Sequence, residues 1–148
     1  MIHESSCDGY VISDDPARLD VGAIHAYLTR SYWSTGVPRE VIERAVRNSL
    51  CIGGYTAGGD QIGLVRVVTD YATFAWICDV YVLEAHRGRG LSKAMLRAVL
   101  SHPELRTVRR FTLATRDAHG LYAQFGFVPV AKPEAQMEKR QPQPWQQP

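Results

Sequence analysis

The chain has 148 residues, the size of one ordinary domain, and its 45% hydrophobic content is enough for one core. A net charge of +2 falls short of the dense basic face of a nucleic-acid binder, and no run of about eighteen apolar residues predicts a membrane span. Cys7, Cys51 and Cys78 are odd in number, widely spaced and without a CxxC pair, which argues against a disulfide framework or a metal knuckle and for a reduced, cytoplasmic setting. The opening MIHESSCDGY also lacks the apolar core of a secretion signal.

YVISDD reads as a short first strand. From Leu19 to Arg30, Val21, Ile24, Tyr27 and Leu28 recur at helical spacing, and STGVP breaks that helix. A second helix is predicted from Pro38 to Asn48, with Val41, Ile42, Ala45 and Val46 on one face. LCIGGYT, QIGLVRVVT and FAWICDVYVL then form a three-strand antiparallel meander whose apolar residues predict a sheet covered on both sides. LSKAMLRAVL is helical, with Leu91, Met95, Ala98 and Val99 inward. VRRFTLAT is a strand, DAHGLYAQF a short helix capped by Asp117, and GFVPV and AQMEK are candidate last strands. The Pro- and Gln-rich end, residues 141–148, is expected to be disordered, leaving residues 1–140 as a single domain. The fold class is α+β, a mixed, mostly antiparallel sheet with helices on both faces.

Between strand and helix stands EAHRGRGLSK. Gly88 and Gly90 let the backbone bring its N–H groups close to a ligand, and the helix starting near Leu91 aims more N–H groups at the same space. Such a turn suits a phosphate, and Arg87 and Arg89 add positive charge. Neither the P-loop nor the GxGxxG fingerprint is matched, and a solvated glycine turn is the plain alternative.

Arg87-Gly88-Arg89-Gly90-Leu91-Ser92 resembles the Arg/Gln-x-x-Gly-x-Gly/Ala signature of the GNAT superfamily of acyl-CoA-dependent N-acetyltransferases, and about thirty residues on, LYAQFGF resembles its second motif. The element order is similar to the GNAT fold, from Tyr10 to about Lys139. The resemblance implies acetyl-CoA (coenzyme A) held between splayed strands, CDVYV and RRFTLAT. Cofactor contacts are implied at Val80, Tyr81 and Val82, at the backbone from Arg87 through Gly88, Arg89, Gly90 and Leu91 to Ser92, and at Thr115. Ser92 stands where glycine or alanine is usual, and Thr115 where many members carry asparagine.

The implied reaction is acetyl transfer to a primary amine, on a small molecule or a peptide, by direct attack on the thioester. Tyr122 holds the position of the tyrosine that donates a proton to the departing thiolate. Asp79, inside an otherwise apolar strand, is either the base or the partner of an arginine such as Arg66. His119 is the rival base, since a neutral imidazole accepts a proton at pH 7, and water could relay the proton instead. Tyr32 and Trp33 are candidates for the substrate wall, and Arg66 for a substrate carboxylate or a snorkelling position at the sheet rim. The other function class is a non-catalytic acyl-CoA-binding sensor or regulatory module. A nucleic-acid partner built on Arg106, Arg109 and Arg110 is disfavoured because these residues alternate across a strand. Pairing of two copies through the tail at Met137 stays open, as does the identity of the acceptor.

Overall fold

A computed structural model describes residues 1–146. The chain forms two compact units, Met1–Leu113 and Ala114–Pro148.

The first unit holds strands β1 (Glu4–Cys7), β2 (Tyr10–Ser13), β3 (Leu50–Tyr55), β4 (Gln61–Thr69), β5 (Phe74–Val82) and β6 (Arg110–Thr112), with helices α1 (Val21–Leu28), α2 (Arg39–Arg47) and α3 (Leu91–Leu100). The sheet runs in the order β1-β2-β3-β4-β5-β6; among the described residues only the β5–β6 pair is parallel. β1 is absent from the sequence expectation. It pairs with β2 through the turn Asp8-Gly9, where φ is +49° and +81°. Two successive positive φ values are what a tight hairpin turn demands, and Asp-Gly supplies them.

α3 buries Leu91, Met95, Leu96 and Val99. Leu96 takes the inward place predicted for Ala98, and Met95 lies where side chains on Gly54 or Gly63 would be. The opposite face of the meander carries Tyr55, Leu64, Arg66, Cys78 and Tyr81, and α1 packs there through β4. That face is covered only in part. Val68, Phe74 and Trp76 at its far end are exposed, contrary to the expectation of a sheet buried on both sides.

The second unit contains α4 (His119–Ala123), two 3-10 turns and no strand among its described residues. GFVPV and AQMEK, predicted as strands, are irregular: Pro129 has no N–H to give a ladder, Val128 and Val130 are exposed, and Pro133–Ala135 is a 3-10 turn. Pro144–Gln146 makes another such turn, and residues 147–148 of the proposed disordered tail lie outside the described residues. No described helix is long and apolar enough to cross a membrane.

Candidate functional site

β5 is paired with β6 only from Phe74 to Trp76 (opposite Arg110 to Thr112). From Ile77 to Val82 its edge on that side has no ladder partner among the described residues, so the two strands separate there. Backbone groups along such an edge need hydrogen-bond partners from elsewhere.

Within the same stretch β5 carries an extra residue. Leu64 faces Tyr81 and Arg66 faces Cys78, so Val65 alone opposes Asp79 and Val80. This is a bulge, and Asp79 absorbs it with φ at +50°. A non-glycine residue in the left-handed region costs free energy, and aspartate is among the few that tolerate it. The Asp79 carboxylate is buried and doubly engaged. Arg66 Nε donates to Oδ2 at 2.7 Å, and Trp33 Nε1 donates to Oδ1 at 2.8 Å. Arg66 Nη1 also donates to Ser49 Oγ at 3.1 Å. Burial works against the Arg66 charge, but the Asp79 carboxylate outweighs it and the guanidinium is held more firmly protonated than usual. The ion pair anticipated as one reading of Asp79 is therefore present. Trp33 ties the loop after α1 to the bulge, a link between residues 46 positions apart that no local pattern announces.

Tyr32 is exposed and stands edge-on to Trp33, ring centres 5.0 Å apart. Tyr81 is buried, its ring stacked on Tyr27 at 4.0 Å, so only its backbone can face the open edge of β5. Burial, followed by the neighbouring Tyr27, raises the Tyr81 phenol well above its ordinary value. Cys78, beside the bulge, is pushed up to about 12 by burial, which leaves a thiol and not a nucleophilic thiolate.

After β5 comes a 3-10 turn, Glu84–His86, and then the glycine turn. Gly88 and Gly90 have φ of +79° and +80°, with open space where a side chain would be. Gly90 caps α3, and the backbone N–H groups from Gly88 to Lys93 have no acceptor among the described residues. Arg87 folds back: its Nε donates to the Val82 carbonyl at 2.8 Å and its Nη2 to the Tyr27 hydroxyl at 3.2 Å. Arg30 grips Glu84 through two bonds of 2.9 and 3.2 Å, chiefly through which Glu84 is lowered to about 2. The base of the turn is thus braced from α1 and its following residues, while Arg89 lies over the Tyr10 ring without an ion pair among the described residues.

In the second unit, Tyr122 is buried and edge-on to Phe127 at 5.9 Å. His119 is the exposed first residue of α4. Asp117 is not the helix cap; it is exposed beside Arg116, and the Thr115 hydroxyl accepts the Ala118 N–H at 3.0 Å instead. A hydroxyl three residues back takes this N–H, and Asp117 makes no capping bond among the described residues.

One further cluster of ligand-type side chains was not legible in sequence, because its members are 11 and 88 residues apart. His3 Nδ1 and His102 Nε2 both meet Asp14 Oδ2, at 2.8 and 2.7 Å, and the His3 amide donates to Oδ1. His102 Nδ1 accepts the Glu104 N–H, so Nε2 carries the proton and donates to Asp14. That tautomer has no lone pair at Nε2 for a cation, and the trio is a clasp holding the N-terminal hairpin to the end of α3. Burial would raise Asp14, but the bonds from the His3 amide and the two imidazoles outweigh it and hold the carboxyl below its ordinary value. A carboxylate with a depressed folded-state pKa stabilises above the unfolded value, near 3.9, and its contribution is lost as pH falls through the folded value. Thermal melts from pH 6 to pH 2 are expected to show that acid loss in the native chain and a flatter profile in Asp14→Asn. His102→Ala should cost about 1–3 kcal/mol at pH 7.

The family model "Acetyltransferase (GNAT) family" matches residues 23–127. A protein of Gibberella zeae, provisionally named an acetyltransferase, is 34% identical over 138 residues, spanning 78% of this chain and 76% of its own. A crystal structure from Xanthomonas campestris, described as belonging to the GNAT family, superposes with a TM-score of 0.90 at 45% identity, over 96% of this chain and 100% of that one. A Deinococcus radiodurans structure at 21% identity has a TM-score of 0.67 over 92% of this chain and 91% of its own, a likeness of fold. With the separated strands, the bulge and the glycine turn in one unit and the LYAQFGF helix in the other, the chain belongs to the GNAT family of acetyltransferases.

Proposed function

We propose that the protein moves an acetyl group from acetyl-CoA to a primary amine by direct attack on the thioester. The observation that carries this reading is the conjunction, in one unit, of an unpaired β5 edge with six free backbone N–H groups, Gly88 to Lys93, at the start of α3. The donor set fits coenzyme A. Free N–H groups and left-handed glycines without obstructing atoms suit a pyrophosphate, and the β5 edge offers the strand-like pairing that a pantetheine arm can complete. Val80 and Val82 would make that pairing, with the Val82 carbonyl already sharing one lone pair with Arg87. Ser92 adds a hydroxyl at the start of α3, and Arg89 supplies the charge that Arg87, folded onto the turn's base, does not.

When bound, acetyl-CoA supplies an activated acyl carbonyl and a thiolate leaving group. The chain's own work is then threefold. The N–H of Val80, turned by the bulge, stabilises negative charge on the carbonyl oxygen. Tyr122 donates its phenolic proton to the departing sulfur; the support for that role is its place in LYAQFGF. Asp79 positions: both its oxygens already accept, so it holds the bulge and Trp33 in place and water or His119 takes the amine proton. Thr115, whose hydroxyl closes the turn before α4, meets the pantetheine arm through its backbone in this reading.

Isothermal titration with acetyl-CoA tests the reading, and no heat of binding at millimolar ligand would sink it. Tyr122→Phe is expected to lower kcat by about 10²-fold with acetyl-CoA affinity little changed; unaltered turnover would remove the assigned role. Tight acetyl-CoA binding without transfer to any of a broad amine panel would instead support the sensor module.

A further inference from the structure

We propose that the acceptor is a hydrophobic amine, a primary amine on an extended apolar chain or ring, laid along the exposed apolar strip of β4 and β5 that starts at the Asp79 bulge. The inference rests on the acetyl-transfer reading above and names its acceptor class.

The register sets the strip's course. Arg66 and Cys78 are cross-strand partners beside the bulge, and the next pair on the same face is Val68 and Trp76. Phe74 follows two residues beyond Trp76. All three apolar side chains are 37–43% exposed, in a row where a buried sheet would be covered. From Cys78 to Phe74 the strand advances about 13 Å, enough for an extended acceptor with its amine at the bulge. At the bulge end stands Trp33, held there by its bond to Asp79.

The charges around the strip select the same class. A polyamine would need free carboxylates. Asp79 is neutralised by Arg66, and Asp70, in the turn between β4 and β5, is tied down by the N–H groups of Ala72, Thr73 and Phe74 and by the Thr73 hydroxyl, which fix its carboxylate onto the turn. Arg110 adds a cationic group over the strip, 5.9 Å from the centre of the Phe74 ring. A second positive charge on the acceptor is disfavoured along this path, and apolar surface is rewarded.

The test compares hexylamine and 2-phenylethylamine with ethanolamine and spermidine, following coenzyme A release by the native chain and by Val68→Asp, with acetyl-CoA affinity measured separately by calorimetry. The native chain should favour the two hydrophobic amines at least tenfold in kcat/KM. Val68→Asp, which sets a carboxylate opposite Trp76, should raise the KM for hexylamine about tenfold and shift preference toward spermidine while acetyl-CoA affinity holds. A purely structural effect of the substitution would move all four amines together. Preference for ethanolamine or spermidine in the native chain, a uniform shift, or acetyl-CoA binding with neither hydrophobic amine acetylated would overturn the inference. So would a native dimer that Val68→Asp dissociates without changing amine preference, since the strip would then be a self-association surface. Absence of acetyl-CoA binding removes the transfer reading instead, and calorimetry distinguishes that result from the others.

Discussion

Asp79→Ala is expected to lower the free energy of unfolding by about 3–5 kcal/mol, because it leaves the buried Arg66 guanidinium without its counter-charge. Two smaller losses add to it. Alanine tolerates the +50° φ of this position less well than aspartate, and Trp33 Nε1 loses its acceptor. Arg66→Met should cost a comparable amount by stranding the carboxylate. The double variant Asp79→Leu/Arg66→Met is expected to recover much of the loss, since removing both charges leaves neither one unpaired. Asp79→Asn keeps an acceptor for Trp33 and the left-handed preference, so it should fall between the native chain and Asp79→Ala. Urea titration at pH 7 measures all four. A loss under about 1 kcal/mol for Asp79→Ala would mean that the pair does not hold the bulge. Under the proposed acetyl transfer, in which Val80 in the same bulge donates to the carbonyl oxygen, turnover is expected to fall in parallel with stability across this series.

Gly53→Ala is the second large effect, about 1–3 kcal/mol of destabilisation. Gly53 and Tyr55 lie two residues apart on one face of β3, and the Tyr55 ring lies back over Gly53. A methyl group at residue 53 would stand 2.6 Å from Cζ and 2.7 Å from Cε2 of Tyr55, and nearer still to its hydroxyl. The ring has no room to yield: it is 1% exposed, with the Arg18 guanidinium 4.6 Å from its centre. Tyr55→Phe has the opposite sign. The Tyr55 hydroxyl is buried with no hydrogen-bond partner among the described residues, and burial pushes its phenol up to about 12. Deleting an unsatisfied hydroxyl should be neutral or stabilising by about 1 kcal/mol. Thermal denaturation of Gly53→Ala, Tyr55→Phe and the pair checks this, and the pair should lose less than Gly53→Ala alone. An unchanged midpoint for Gly53→Ala would show that the ring moves freely.

The acceptor strip and the Asp79 network share one origin. Along β5, residues alternate between the α3 face and the α1 face until the bulge adds a residue. Below the bulge, the side chains on the α1 face are apolar and exposed; at it, they are charged and buried. The chemistry proposed for the amine end and the body of the acceptor follows that change in burial.

Much of this architecture is legible in the sequence. Helical spacing marked α1, α2 and α3, alternation and glycine turns marked β3 to β5, and EAHRGRGLSK with LYAQFGF pointed to the family. These features are local, set by side-chain period, by glycine's access to positive φ and by the orphan N–H groups at a helix start, so a short window contains their causes. The Asp8-Gly9 hairpin is equally local, but the residues before it are polar, as suits an exposed edge strand, and show no apolar alternation. The strand expectation for GFVPV fails at Pro129, where a backbone donor is missing, and AQMEK begins inside the Pro133–Ala135 turn with no strand partner among the described residues. What the tertiary structure alone decided are the pairings over long sequence separation. Trp33 and Arg66 share the carboxylate of Asp79, His3 and His102 share that of Asp14, and Val68 and Trp76 lie side by side in the open. Each depends on strand register and on which face a helix leaves uncovered. A buried charge is stable only where the folded chain brings its partner, and that meeting is fixed by packing and not by any neighbouring residue.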